Sequence, residues 1–277
     1  MKDAIVAIFY FCDEYLKFLN RPKGWFNEKM SDSEVMTVII VASMFFYGNI
    51  ERARVFLKEH GYIPNMLSKS RLNRRLHAIE DEIWYEFIGF VKANVITQSG
   101  VEDYIVDSFP VAVCRNIRIG RCKILQGEAF RGYCASKKEY FYGFKVSVIT
   151  NLAGIPYKMI IAPGSEHDLP AIKVLDPQIL PEGSTLYGDA AYNDYEYEDY
   201  LEERNIRFAV DRKLNTKRPY RLEDYVNLRA HRKTVEMTFN AITREMARKI
   251  HAVLSKGIEL KILGFVIATT IKLVINL

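Results

Sequence analysis

An all-helical N-terminal domain followed by a mixed α/β sheet flanked by helices is the fold class predicted for this 277-residue chain, and three observations predict it. Apolar residues recur at helical spacing through residues 1–98, with no convincing strand among them. Beyond Gln98-Ser99-Gly100, the best candidate boundary, the pattern turns to β-type runs rich in aromatic and β-branched residues. The order downstream is three strands, a helix, a strand, a helix, a strand and then helices, which divides the chain into 1–98 and 99–277.

The elements follow in turn. Ser31-x-x-Glu34 forms a capping box before the apolar run that ends at Phe46. The amphipathic segment from Asn49 stops at Gly61, and after Pro64 one helical stripe runs through Leu72, Leu76, Ile79, Ile83, Phe87 and Phe90, with Ser68 or Ser70 as its cap. Residues 103–114 read as a β-type run broken by Pro110, and residues 139–151 and 152–164 as a hairpin turning at Asn151–Gly154. Asp168 caps a helix with proline in its first turn. Residues 184–189 make a short strand ending in an acid, 193–205 a helix, 206–210 a strand, and 231–249 a long helix. The last 21 residues are the nearest thing to a membrane span, but Glu259, Lys261 and Lys272 interrupt them, so a buried core helix is expected, in a cytoplasmic protein with no membrane partner.

Charge is segregated along the chain. The net charge is only +5 (39 Lys and Arg against 34 Asp and Glu), yet residues 110–150 carry eight cations against two acids, and residues 211–261 carry 13 against six. Between them, residues 185–205 carry seven acids against one cation. Such blocks are either solvated faces or the mark of a polyanion partner with acidic chemistry in its midst. Cys12, Cys114, Cys122 and Cys134 are too few for a disulfide framework and contain no C-x₂-C pair, so a zinc site completed by His167 is less expected than buried thiols.

Three acids stand out by placement. Asp107 and Asp189 each end a predicted strand, where α/β proteins place their sites. Glu236 lies at the margin of a helix whose apolar stripe is Val235, Phe239, Ile242 and Met246, with Arg232 and Arg229 preceding it on the same side. Three such carboxylates can hold two Mg²⁺ ions for phosphodiester chemistry, with the surrounding Arg and Lys holding a nucleic-acid backbone. Asp103, Asp194 and Asp211 compete as candidates, Asp168 is explained as well by capping as by catalysis, and Lys145 is either a phosphate contact or a satisfied edge lysine. Lys69, Arg71, Arg74 and Arg75 put four positive charges near a helix start while Leu72 and Leu76 turn to a core, a pattern that suits phosphates, a major groove or solvent.

Asp107-Ser-Phe-Pro110, Tyr142-Gly-Phe-Lys145, Gly188-Asp-Ala-Ala-Tyr192 and Arg232-Lys-Thr-Val-Glu236-Met-Thr-Phe239 occur in the order seen in DDE transposases of bacterial insertion sequences, and the whole chain resembles that family. Gly132-Tyr-Cys-Ala-Ser-Lys-Lys138 and Ser68-Lys-Ser-Arg-Leu-Asn-Arg-Arg75 make it most similar to the insertion sequence 982 branch. The resemblance implies a ribonuclease-H-like core and Asp107, Asp189 and Glu236 as catalytic metal ligands. It also implies Mg²⁺ (or Mn²⁺ in its place), cleavage at terminal inverted repeats with strand transfer into target DNA, and a homodimer on that DNA. DNA contacts are then expected from Lys69, Arg71, Arg74, Arg75, Lys145, Arg229, Arg232 and Lys233. The alternatives are a same-fold nuclease that does not join strands and a non-catalytic DNA-binding descendant.

Overall fold

Five helices occupy the described residues before Tyr104: α1 (Lys2–Phe18), α2 (Asp32–Phe45), α3 (Ile50–Glu59), α4 (Lys69–Ala78) and α5 (Asp81–Val95). The computed structural model describes residues 1–20, 29–95, 103–135, 138–176, 180–212, 216–218, 221–246 and 250–275. The candidate boundary Gln98–Gly100, Ser136 and Lys137 of the glycine–lysine motif, and Lys213, Arg248 and Lys249 of the second basic block lie outside them. The chain forms two compact units, Met1–Ile96 with Ala241–Leu277, and Thr97–Asn240.

In the helical unit the capping box forms as expected: Ser31 Oγ accepts from the Glu34 N–H and the Glu34 carboxylate from the Ser31 N–H. A cap of this kind stabilises the helix by about 1 kcal/mol. Helix α2 is buried on all sides from Val35 to Met44, so it is the central element of its unit, with α1, α3 and α4 packed on it. The single stripe expected from Leu72 to Phe90 is instead two helices, because Ile79 turns to an extended conformation (φ −71°, ψ 129°) and closes α4. The C-terminal helix α9 (Ser255–Val274) is buried along most of its length and packs on α2 and α5. The division at 98/99 therefore differs from the observed grouping, in which residues 241–277 belong with the N-terminal helices. Among the described residues no single helix is long and apolar enough to cross a membrane; α2 and α3 meet that test only jointly, across a 111° bend.

The second unit is built on one six-stranded sheet. Its strands are β1 (Tyr104–Cys114), β2 (Arg131–Cys134), β3 (Glu139–Asn151), β4 (Pro156–Pro163), β5 (Thr185–Gly188) and β6 (Arg207–Val210). β3 pairs antiparallel with β1, and with β2 and β4 as well; β5 then lies parallel to β1, and β6 parallel to β5. Helices α6 (Asp168–Leu175) and α7 (Tyr195–Glu202) share a core with Tyr104, Val106, Leu186 and Phe208. Helix α8 (Leu222–Glu245) starts nine residues earlier than the His231 expected from sequence and lies on the opposite face, where Phe239 meets Phe109 at 4.7 Å between ring centroids.

Two departures shape the site. Pro110 does not break β1, which runs on to Cys114; past the β5 ladder, β3 is its only strand partner among the described residues, an edge setting that tolerates the missing N–H. β2 is the strand that the sequence pattern did not reveal. The β1–β3–β2 ribbon closes tightly at Gly143, where a Cβ would stand 2.1 Å from the Val111 carbonyl oxygen and 2.9 Å from the Val113 nitrogen. Gly143→Ala is expected to cost about 1–3 kcal/mol, because backbone rather than a flexible side chain has to move. A urea melt with an unchanged midpoint would contradict that reading of the close approach. At the β3–β4 turn, Gly154 takes a positive φ of 80°, and its carbonyl accepts from Thr238 Oγ1 at 2.7 Å, tying the hairpin to α8.

Candidate active site

Register brings the first two acids together. Tyr104 and Ile105 pair with Leu186 and Tyr187, an offset of 82 residues (186 − 104), and the same offset separates Asp107 from Asp189 (189 − 107). The ladder ends two residues before the aspartates, and the negative charge of Asp189 acts on Asp107. β6 extends the row: Gly188 pairs with Val210, and the Asp211 N–H donates to the Gly188 carbonyl at 3.0 Å. Strand alternation puts Asp107 on the face of Phe109, toward α8, and Ser108 on the face of Val106, toward α6.

Asp189 is the cap of a short 3₁₀ turn, and its carboxylate accepts from the Ala191 N–H at 2.8 Å. Asp107 accepts from the Ser108 N–H at 2.7 Å. Burial, followed by the negative charges of Asp189 and Asp168, pushes the Asp107 carboxyl up to about 6, against the pull of the Ser108 N–H and the Arg232 guanidinium. Burial and Asp168 raise Asp189 too, opposed by the Ala191 N–H and Arg232. Two half-buried carboxylates that repel each other gain from a cation between them, and their oxygens are the donors that a hard divalent ion takes. Arg232 supplies the countercharge here.

Glu236 does not join this pair. It is 60% exposed and pairs with Arg232, one turn back, at 3.7 Å. Among the described residues no three His, Cys, Asp or Glu side chains stand close enough to share a metal ion. Val235 and Phe239 are buried on either side of Glu236 and Ile242 further along, whereas Met246, the last residue of the expected stripe, lies past the end of α8 and is half-buried.

Asp168 is the acid whose role sequence reasoning misplaced. It is the first residue of α6 rather than its cap, which is His167. Its carboxylate accepts from Ser108 Oγ at 2.8 Å and from Lys145 Nζ at 3.0 Å. Lys145 also donates to the Glu166 carbonyl at 3.1 Å, so its ammonium is held inside the site rather than free for a phosphate. Tyr192 was not singled out. Its side chain is 1% exposed, and burial, followed by the charges of Asp168, Asp107 and Asp189, raises its phenol far above the usual range against the pull of Ser108. Its place three residues after Asp189 in the Asp-Ala-Ala-Tyr run was the signal available. The competing acids have structural employment: Asp103 accepts from the Thr185 N–H, and Asp194 caps α7 and pairs with Lys173 at 2.8 Å.

The remaining predicted cations divide. Arg75 pairs with Asp32 at 2.8 Å within the helical unit, whereas Lys69, Arg71 and Arg74 are exposed. On α8, Lys233 is exposed and the Arg229 guanidinium lies over the Tyr225 ring at 4.5 Å. His231 faces the Tyr187 ring at 5.7 Å. Two cations of the second basic block fold onto the acidic one. Arg212 reaches Glu198 with bonds of 2.5 and 2.8 Å, and Arg218 bridges Glu198 and Asp199 at 3.0 and 2.8 Å. All four cysteines are free thiols, but only Cys12 is buried.

Compared with known families, residues 99–271 match the model described as transposase DDE domain. No curated protein and no solved structure matches the chain.

Proposed function

Because the chain belongs to the transposase DDE domain family, we propose that it cuts DNA strands at the ends of a mobile element and joins the freed 3′ ends to target DNA. The observation that carries this reading is the register of the strand that carries Asp107 and the strand that Asp189 follows, parallel neighbours whose shared face packs against α8. The strand sequence, with β1, β3 and β4 antiparallel and β5 and β6 added parallel on the other side of β1, supports a ribonuclease-H-like core. The insertion sequence 982 branch, a DNA-binding role for residues 1–98 and a homodimer on DNA belong to the same proposal.

Asp107 and Asp189 would hold Mg²⁺ (or Mn²⁺), and Glu236 would complete the set by turning from Arg232 toward them. Such ions, when bound, lower the pKa of water and neutralise charge at a reacting phosphodiester. The protein's own part is positional. Asp107 and Asp189 are locked by the Ser108 and Ala191 N–H groups. The Lys145–Asp168–Ser108 chain keeps the α6 end against β1. Arg232, released from Glu236, is left to bond a phosphate oxygen, with Arg229 and Lys233 along the same helix holding the strand. Hydrolysis of one phosphodiester leaves a 3′-OH; attack of that 3′-OH on a target phosphodiester forms the new bond and releases a target 3′-OH.

The test uses the inverted repeats flanking the gene. Incubated with the full chain and Mg²⁺, a duplex carrying them is expected to yield a 3′-OH cut at the repeat end and then a joined product. Cutting without joining would support the nuclease alternative, and neither product would support the non-catalytic one. Separately, replacing Lys69, Arg71 and Arg74 with Ala, while keeping the structural Arg75, is expected to flatten the log–log salt dependence of binding by up to about 2.7, at ~0.9 per lost phosphate contact. An unchanged slope would make that helix face solvated surface.

A further inference from the structure

Cations of the two basic blocks have different fates. In the second, Arg212 and Arg218 pair with Glu198 and Asp199. In the first, Arg131 pairs with Glu128 and Lys145 with Asp168, but four others do not pair. Arg115, Arg118, Arg121 and Lys123 are all exposed, and none has an ion-pair partner among the described residues. They sit on one arm, residues 115–130, that connects β1 to β2 and begins with a 3₁₀ helix (Asn116–Arg121) burying none of its residues. Ile117, between Arg115 and Arg118, is 89% exposed.

The arm is nonetheless fixed at its base. Leu125 is buried, Tyr142 donates its hydroxyl to the Gly127 carbonyl at 3.0 Å, and the Asn116 amide donates to the Tyr140 carbonyl at 2.7 Å. Beside it the exposed rings of Tyr133 and Tyr140 meet at 5.0 Å. Four unpaired cations on an anchored arm, flanked by exposed aromatics, complement a nucleic-acid backbone. Arg115 lies eight residues beyond Asp107 along one extended strand, about 26 Å at ~3.3 Å per residue. At ~3.4 Å per base pair that is roughly eight steps of a duplex, far enough that the arm touches phosphates other than the reacting one.

We propose that residues 115–123 form a second docking surface, which grips the phosphate backbone of duplex DNA several base pairs from the reacting phosphate. It rests on the DNA-processing reading above and adds the surface that steadies the duplex on the catalytic unit.

The experiment uses the full chain, EDTA to prevent cleavage, and a 30-base-pair duplex of arbitrary sequence, because phosphate contacts are sequence-independent. The variant with Arg115, Arg118, Arg121 and Lys123 all replaced by Ala is expected to bind more weakly, with a log–log salt slope shallower by up to about 3.6, at ~0.9 per contact. The variant with Arg115, Arg118 and Arg121 replaced by Lys is expected to keep the wild-type slope. Wild-type binding with an unchanged slope in the Ala variant overturns the arm alone. A Lys variant as shallow as the Ala variant also overturns it, by showing a structural loss rather than a charge effect. A wild-type chain that does not bind the duplex overturns the arm and the DNA-processing reading together.

Discussion

Asp107→Asn is expected to abolish Mg²⁺-dependent cleavage, by at least about 10²–10³-fold, and at the same time to stabilise the metal-free protein. The first effect follows from removing an anionic oxygen where a cation is needed. The second follows from the carboxyl's shift, from 3.8 to about 6, caused first by burial and then by Asp189 and Asp168. A raised folded-state pKa means that the native protein binds the proton more tightly than the unfolded chain does. Stability contributed by this group is therefore full below pH 4 and is lost as the pH rises through 4–6. At neutral pH the ionised Asp107 costs up to about 3 kcal/mol, at ~1.4 kcal/mol per unit, and Asn removes that cost. Thermal melts in EDTA should show the variant equal to wild type near pH 4 and more stable above pH 6. Added Mg²⁺ should raise the wild-type Tm and leave the variant's unmoved. Asp189→Asn should behave likewise, since burial also raises its carboxyl. Glu236→Gln should lose cleavage without the stability gain, because its side chain is 60% exposed. Normal cleavage by any of the three would remove that residue from the catalytic set, and a pH-independent stability difference for Asp107→Asn would refute the buried-charge account.

Glu198→Ala is expected to destabilise the fold by about 3–5 kcal/mol. Glu198, on α7, is 6% exposed and accepts two of the three guanidinium bonds of Arg212, the third going to Asn193, and one from Arg218. The Arg212 side chain is itself only 11% exposed, so removing the carboxylate strands a nearly buried cation, whereas Arg218 keeps Asp199. The Arg218 and Arg212 guanidiniums also lie 4.7 and 5.7 Å from the Tyr195 ring, which gives Glu198 a structural neighbourhood in addition to its charge. Glu198→Gln, which keeps the shape and one acceptor, should lose less. Arg218→Ala should lose still less, since that guanidinium is 31% exposed and its second partner, Asp199, is 59% exposed. Denaturant midpoints for the three variants test the order. Equal losses from Glu198→Ala and Arg218→Ala would mean that the desolvated cation is not what matters.

The sequence by itself determined the local elements and the chemistry they carry. Ser31 and Glu34 cap α2, the aromatic and β-branched runs become β3 and β4 around Gly154, and an acid stands at the end of β5 because strand propensity stops at Gly188. These depend on neighbours within a turn or a strand, so pattern suffices. Even the pairing of Asp107 with Asp189 was half legible, since their separation matches the β1–β5 register, which only the ladder reveals. What the tertiary structure alone decided depends on residues far apart in the chain. An all-round apolar α9 is legible as buried, but its union with α2 and α5 is decided by which apolar surfaces remain open after those helices form. Asp168 looked like a cap until β1 and β3 delivered Ser108 and Lys145 to its oxygens. The charge blocks looked equivalent until Glu198 claimed Arg212 and Arg218 and left Arg115, Arg118, Arg121 and Lys123 exposed. A charge's meaning is set by its partner and its solvent, and neither is written in the spacing of residues along a strand or helix.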